Sequence, residues 1–307
     1  MNYELIIIGG GPAGVSAGIY AERKKIKTLL IAESFGGQSI VSAEIQNWIG
    51  TKSISGLDLA KALEEHLKAH QDIDILEGER AIGVVKTEGG FQVKTSGGKT
   101  FDAKTVLVVS GSRRRRLGVP GEDKFDGHGV SYCSICDAPI FKNKDVAVIG
   151  GGNSALEAVV DLLPYAKSIT LIHHSAALKG DKVTQDRIAR ESKVKMYFNA
   201  ETKEIVGDEY VTGIKYQDTA ANEAGELAVD GIFVEIGIVP NSELVKDVVQ
   251  LNPAGEIVVD KGTQRASLEG VWAAGDVCDV LYKQNNVSAG DAIKAVLNIY
   301  AYLNKSK

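Results

Sequence analysis

Two glycine-rich turns, each placed between an apolar strand and a helix, predict an α/β protein built from two Rossmann-like nucleotide-binding domains, doubly wound and three-layered. In the first, Tyr3-Glu4-Leu5-Ile6-Ile7-Ile8 is a largely apolar run, as a strand buried on both faces of a parallel sheet requires. It leads into Gly9-Gly10-Gly11-Pro12-Ala13-Gly14 and an alanine-rich helical stretch through Ala21, and a second strand, Thr28–Ile31, ends at Glu33. In the second, Asp145-Val146-Ala147-Val148-Ile149 leads into Gly150-Gly151-Gly152-Asn153-Ser154-Ala155, a helix, and a strand at Ser168–Ile172. A third observation, the pair Cys133 and Cys136 lying between the two turns, directs both toward electron transfer.

The spacing carries the chemistry. Glycines at 9, 11 and 14 let a pyrophosphate approach the helix start, where unpaired amides and the helix dipole favour negative charge. Glu33, 19 residues past Gly14, is placed to accept hydrogen bonds from ribose hydroxyls. Gly150, Gly152 and Ala155 form the accepted GxGxxA variant. Where the second unit's acid belongs stand His173 and His174. An acid there favours NAD and arginines favour NADP, so histidines commit to neither; Lys179 and Lys182 can offer charge to a phosphate or end as solvated lysines. Two such units imply two dinucleotides, a flavin and a nicotinamide, because hydride then has a donor, a relay and a dithiol sink.

Between these landmarks, Ser34-Phe35-Gly36-Gly37-Gln38 precedes an irregular stretch with Asn47-Trp48. A helix is expected over Leu57–His70 with Leu59, Leu63, His66, Leu67 and His70 on one stripe; the i,i+4 histidines lack a third metal ligand nearby. Ala81–Lys86 and Phe91–Thr95, separated by Glu88-Gly89-Gly90, read as antiparallel strands, and Thr105–Val109 as a buried strand ending at Ser110-Gly111-Ser112. Leu117–Phe125 has linker composition. Near the C-terminus a short strand ends in Gly275-Asp276 and leads through Tyr282-Lys283-Gln284 to a helix over Ser288–Leu303, with Ile293, Val296, Leu297, Tyr300 and Leu303 expected on its buried face. Cys278, without a partner cysteine in sequence, reads as a core residue.

With 307 residues, 44% hydrophobic and 24% charged, the chain holds about two domains. Its net charge of -5 gives no reason to expect nucleic acid or an anionic membrane as partner, and Arg113-Arg114-Arg115-Arg116 reads as a solvated loop, with docking of a partner as the alternative. Three cysteines cannot frame a secreted domain, and no leader or bilayer-length apolar stretch is evident, so a cytoplasmic enzyme is expected. There a CxxC is catalytic or metal-binding; a zinc site needs two further ligands, and His128 is the nearby candidate.

The Cys133-Ser134-Ile135-Cys136-Asp137 run, in order with both glycine units and Gly275-Asp276, resembles the low-molecular-weight thioredoxin reductases, and also the flavoprotein subunit of alkyl hydroperoxide reductases without its N-terminal domain. The resemblance implies an FAD domain at 1–114 and 244–307 interrupted by a rotating NAD(P)H domain at 115–243, and a homodimer. FAD would be held by Gly9, Gly11, Pro12, Ala13, Gly14, Glu33, Gly37, Gln38, Asn47, Ser110, Gly111, Gly275, Asp276, Lys283 and Gln284, where Lys283 replaces the family's arginine. NAD(P)H would be held by Gly150, Gly152, Asn153, Ser154, Ala155, His173, His174 and Lys179; the missing His-Arg-Arg run points to NADH over NADPH. Cys136 would receive electrons, Cys133 would attack a partner's disulfide, and Asp137, a buried acid, would donate a proton to a leaving thiolate. The partner implied is a thioredoxin-like or glutaredoxin-like protein, with a peroxiredoxin as alternative. A ferredoxin-fed enzyme and a purely regulatory flavin module are the competing readings.

Overall fold

The computed structural model describes residues 2–42 and 44–305. The chain divides into two compact units: Met1–Val41 with Trp48–Arg113 and Val239–Lys307, and Ser42–Asn47 with Arg114–Ile238. Against the expected boundaries at 114 and 243, the second unit begins at Arg114 and ends at Ile238. Asn241 belongs to the first because its N–H donates to the Gly111 carbonyl (3.0 Å) and its side-chain amide to the Ser110 carbonyl (2.9 Å).

The first unit is built on a mixed sheet. Asn2–Ile8 pairs in parallel with Thr28–Ala32 on one side and Thr100–Val108 on the other; Asp74–Glu77 extends one edge, and Val271–Ala273 runs parallel to Thr100–Val108. Leu5, Ile6 and Ile7 are wholly buried, which accounts for the absence of polar alternation there. Ala81–Thr87 and Gly90–Thr95 add an antiparallel hairpin to Thr100–Val108. The helix Gly56–Lys68 begins on Ser55, whose hydroxyl accepts the Asp58 N–H at 3.1 Å, and buries Leu59, Leu63 and Leu67. His66 stays exposed and the His70 ring pairs with Glu22.

The C-terminal helix spans Asn285–Lys305, and its buried face differs from the expected one. Ala292, Ala295, Val296 and Ile299 face inward, whereas Leu297 and Tyr300 are 42% and 38% exposed. The helix packs on Pro12–Arg23, whose buried residues are Pro12, Ala13, Gly14, Val15, Ala17, Gly18 and Ala21. The alanines of the C-terminal helix allow a close approach to its neighbour, and that approach selects them over the larger apolar side chains.

The second unit has three layers. Its central sheet is parallel, in the order Val194–Tyr197, Ser168–Ile172, Asp145–Ile149, Gly231–Val234, Val130–Ser131. Val146 and Val148 join Leu156, Val159 and Leu162 of the helix Asn153–Leu162 in one core. Ala147 and Ile149 point the other way, into a second core with Ile205 and Ile214 of an antiparallel three-stranded sheet, Ala200–Gly207, Val211–Asp218 and Glu223–Ala228. No helix among the described residues is long and apolar enough to cross a membrane.

Candidate active site

In the first unit, Gly9 has φ +130° and a Cβ there would lie 2.3 Å from the Val109 carbonyl oxygen, so only glycine turns the strand into the helix. A Cβ on Gly14 would lie 1.9 Å from the Gly9 carbonyl oxygen, while one on Gly11 would meet only the Gly37 Cα at 3.8 Å. The turn is therefore tight on its protein side and open in front of the helix start, where Pro12 fills the first helical position. Glu33 is 66% exposed at its strand end, with Arg80 3.7 Å away. Gln38 donates to the Ser112 hydroxyl (3.0 Å), and the Ser110 hydroxyl to the Asn241 carbonyl (2.7 Å). Gly275 has φ +76° and lies against the first turn of the helix at Ala13; the next residue, Asp276, accepts a hydrogen bond from Ser288 at 3.2 Å. Lys283 is half-buried: its ammonium pairs with Glu256 at 2.9 Å and reaches the carbonyls of Asp276 and Cys278. Asn47 falls in the short segment grouped with the second unit.

The second turn repeats the plan with Gly150 at φ +149° and with Gly152 facing open space among the described residues. Ala155 is wholly buried, its methyl filling the space that a Cβ on Gly150 would enter. The Asn153 side chain accepts the Asp181 N–H at 2.8 Å, and Lys179 donates its backbone N–H to the Gly151 carbonyl at 2.7 Å; Ser154 is exposed. His173 is only 4% exposed, and its ring lies so close over Gly151 that a Cβ there would be 2.3 Å from Cε1. Burial, with the neighbouring His174, holds its pKa below the usual imidazole value. His174 and the Lys179 side chain face solvent.

Cys133 and Cys136 are joined in a disulfide, their Cα atoms 5.4 Å apart across the single helical turn Ser134–Asp137. The Ser131 hydroxyl donates to Asp137 Oδ2 at 2.6 Å and accepts the Cys133 N–H at 3.2 Å; the Ser134 hydroxyl donates to Asp161 at 2.8 Å. Asp137 Oδ1 is buried without a hydrogen-bond partner, and this burial raises the carboxyl above its ordinary value despite Ser131 and Arg114.

A strand, glycine turn and helix twice over, with a disulfide two residues across, is the arrangement of one known group, and the family model of the pyridine nucleotide-disulphide oxidoreductases matches residues 3–294. This chain belongs to that family. It is 42% identical over 301 residues to the F-type subunit of alkyl hydroperoxide reductase from Staphylococcus aureus strain Mu50 and 44% identical over 304 residues to that of Pseudomonas putida, in each case over 98% of its own length. It spans 59% and 58% of the lengths of these two relatives. Among solved structures it is similar to thioredoxin reductase from Streptococcus pyogenes (32% identity, TM-score 0.90) and from T. acidophilum (36%, TM-score 0.69), with 99% of every chain covered.

Membership of the pyridine nucleotide-disulphide oxidoreductases implies a flavin and a pyridine nucleotide, and the residues present fit both. Each turn leaves open the cradle that a side chain on Gly11 or Gly152 would fill. The arginine run is exposed at Arg113, Arg115 and Arg116, as expected of a solvated stretch, and two of these also pair within the protein. Arg113 binds Asn241 and Glu243, both at 2.8 Å, Arg116 binds Tyr132 (2.7 Å) and Asp126 (2.5 Å), and Arg114 is half-buried. Sequence reasoning also passed over Glu235, at the end of Gly231–Val234. Burial raises its carboxyl to about 7, against the charge of Arg114; the one signal in the chain was an acid closing the apolar run Ile232-Phe233-Val234.

Proposed function

We propose that this chain is a flavin-dependent disulfide reductase that moves electrons from NADH, by way of FAD, to the Cys133–Cys136 disulfide and on to the disulfide of a thioredoxin-like protein. The observation that carries the proposal is the disulfide itself, closed two residues across and flanked by a buried carboxyl, in the unit that holds the second nucleotide turn. FAD, when bound, supplies the relay between a two-electron hydride donor and sulfur.

The chain's own residues do the rest. Gly9, Gly11 and Gly14 bring the pyrophosphate of FAD to the start of the helix Pro12–Arg23, and the exposed Glu33 carboxylate takes the ribose hydroxyls. Gly37 and Gln38 line the same turn, Ser110, Gly111, Gly275 and Asp276 close it from other strand ends, and Lys283 and Gln284 complete that side. Gly150, Gly152 and Ala155 receive the nicotinamide nucleotide, with Asn153 and Ser154 at the helix start. His173 packs under this turn, leaving His174 and Lys179 at the adenosine ribose; without an arginine fork these two make a weak clamp for a 2′-phosphate, which supports NADH. When the disulfide opens, protonated Asp137 hands its proton to the leaving sulfur, a role its burial favours.

The alkyl hydroperoxide reductase relatives, at 42% and 44% identity, favour a second reading in which the electrons go to a peroxiredoxin-type partner. The structural likeness to thioredoxin reductases also supports a homodimer. The test is NADH oxidation in the presence of thioredoxin-like, glutaredoxin-like or peroxiredoxin disulfides, with Cys136→Ser as control. Turnover with one of them, lost in the variant, supports the proposal; no turnover with any defeats it.

A further inference from the structure

Ser131 stands where the strand Val130–Ser131 gives way to the cysteine turn, and its hydroxyl makes two bonds there. It donates to Asp137 Oδ2 at 2.6 Å and accepts the Cys133 N–H at 3.2 Å. The strand lies in register with Gly231–Val234, Phe233 opposite Ser131, so the sheet fixes this buried hydroxyl independently of the turn it serves. The Asp137 N–H closes the turn on the Cys133 carbonyl at 3.1 Å. One hydroxyl thereby joins the amide of the first cysteine to the carboxyl that follows the second.

The two oxygens of Asp137 are therefore not equivalent. Oδ2 is engaged as an acceptor while Oδ1 is buried with no partner, so a proton carried by this acid belongs on Oδ1. Burial raises the carboxyl; Ser131 and then Arg114, from the strand Ser112–Arg114, oppose it. On the helix Asn153–Leu162, Asp161 accepts the Ser134 hydroxyl at 2.8 Å, and Glu235 lies two residues past Phe233.

Resting on the reading of Cys133–Cys136 as a redox pair with Asp137 as its proton donor, we propose that Ser131 is the positioning residue of that acid. It holds Oδ2 so that Oδ1 carries the proton, and it stabilises the carboxylate left when the proton has gone. Ser131 acts through Asp137 and not on sulfur. The step balances. A thiolate of an external dithiol attacks one sulfur of the pair and forms a mixed disulfide as the Cys133–Cys136 bond breaks. The expelled sulfur keeps the electron pair of that bond and takes the proton from Oδ1. Asp137 is left as a carboxylate, and its bond from Ser131 becomes charge-assisted. The dithiol's second thiol gives its proton to solvent, closes on the mixed disulfide and releases the other cysteine as thiolate, so the dithiol is oxidised to its own disulfide.

The purified full-length protein and its variants are mixed anaerobically with reduced dithiothreitol from about pH 5 to about pH 8, quenched with acid and alkylated, and the initial rate at which modified cysteines appear is read by mass. Ratios between proteins at one pH cancel the ionisation of the dithiothreitol. Relative to wild type, Ser131→Ala should be slower by about three- to tenfold at the acid end, because the developing carboxylate has lost a donor. The deficit should close as pH rises, because an acid without Ser131 keeps its proton to higher pH. Ser131→Thr, which retains the hydroxyl, should return the wild-type profile. In an Asp137→Asn background, Ser131→Ala should change the rate by one factor at every pH, which separates Asp137 from Glu235 and every other titrating group. A Ser131→Ala deficit that is constant with pH, or one whose pH dependence survives Asp137→Asn, overturns the inference and leaves the disulfide reductase standing. A pair that dithiothreitol cannot open at any pH defeats the redox reading itself.

Discussion

The two nucleotide turns share a backbone plan and differ in what closes it. At the first, a methyl on Gly14 would sit 1.9 Å from the Gly9 carbonyl oxygen; at the second, Ala155 already carries that methyl and packs it against Gly150. The strand ends differ too. Glu33 stands exposed beside the first turn, whereas His173 is folded under the second, which the backbone of Glu235 abuts. The third small residue is thus set by how closely helix and strand approach, and the reader of the ribose is a separate choice. At the strand end the first unit keeps its carboxylate in water, whereas the second buries an imidazole.

The largest effect should come from exchanging the third small residue. Gly14→Ala forces a Cβ into backbone, and we expect it to cost about 3 kcal/mol and to strip flavin from the purified protein. The reciprocal Ala155→Gly should cost about 1 kcal/mol by lost packing and helix propensity and leave the flavin in place. Thermal unfolding and the flavin-to-protein absorbance ratio read both. Equal losses in the two variants would mean that the turns are not spaced as described.

The next effects are pH-dependent and of opposite sign. Glu235 is raised from its ordinary 4.5 to about 7, so its contribution to stability is complete below about 4.5 and is lost as pH rises through about 7. Over that interval the second unit should lose about 2 kcal/mol, and Glu235→Gln should flatten the change. His173 is held low, so its contribution is complete above its ordinary 6.5 and is lost as pH falls through the lower folded value. His173→Phe should recover about 1 kcal/mol in acid, because a charged imidazole need no longer be buried. Denaturant midpoints from pH 4 to 8 follow both variants; roughly parallel curves for wild type and variants would contradict the assignments. The smallest effect belongs to the exposed side chain: Glu33→Gln should weaken flavin binding by about 1 kcal/mol, about fivefold, read by flavin titration of the stripped protein.

Much of this was legible in the sequence because it is local. The turns Gly9–Gly14 and Gly150–Ala155 and the Cys133–Cys136 spacing each fit within a few residues, and the runs before them are strands because Leu5–Ile7 and Val146–Val148 are buried on both faces. What sequence could not supply depends on partners far along the chain. The inward face of Asn285–Lys305 is chosen by its close approach to Pro12–Arg23, not by apolar size within its own stripe. Arg116 meets Tyr132 and Lys283 meets Glu256 only once segments distant in sequence lie side by side. His173 occupies the place of an acid in the pattern, yet its environment is set by Gly151 beneath its ring.

The central claim, that two coenzymes feed one disulfide, is tested most directly by anaerobic titration of the purified protein with NADH and, separately, NADPH while the flavin absorbance is followed and the thiols of Cys133 and Cys136 are counted. The account predicts that NADH bleaches the flavin at lower concentration than NADPH and that both thiols appear. Protein that holds no flavin, or flavin that neither nucleotide bleaches, would contradict it.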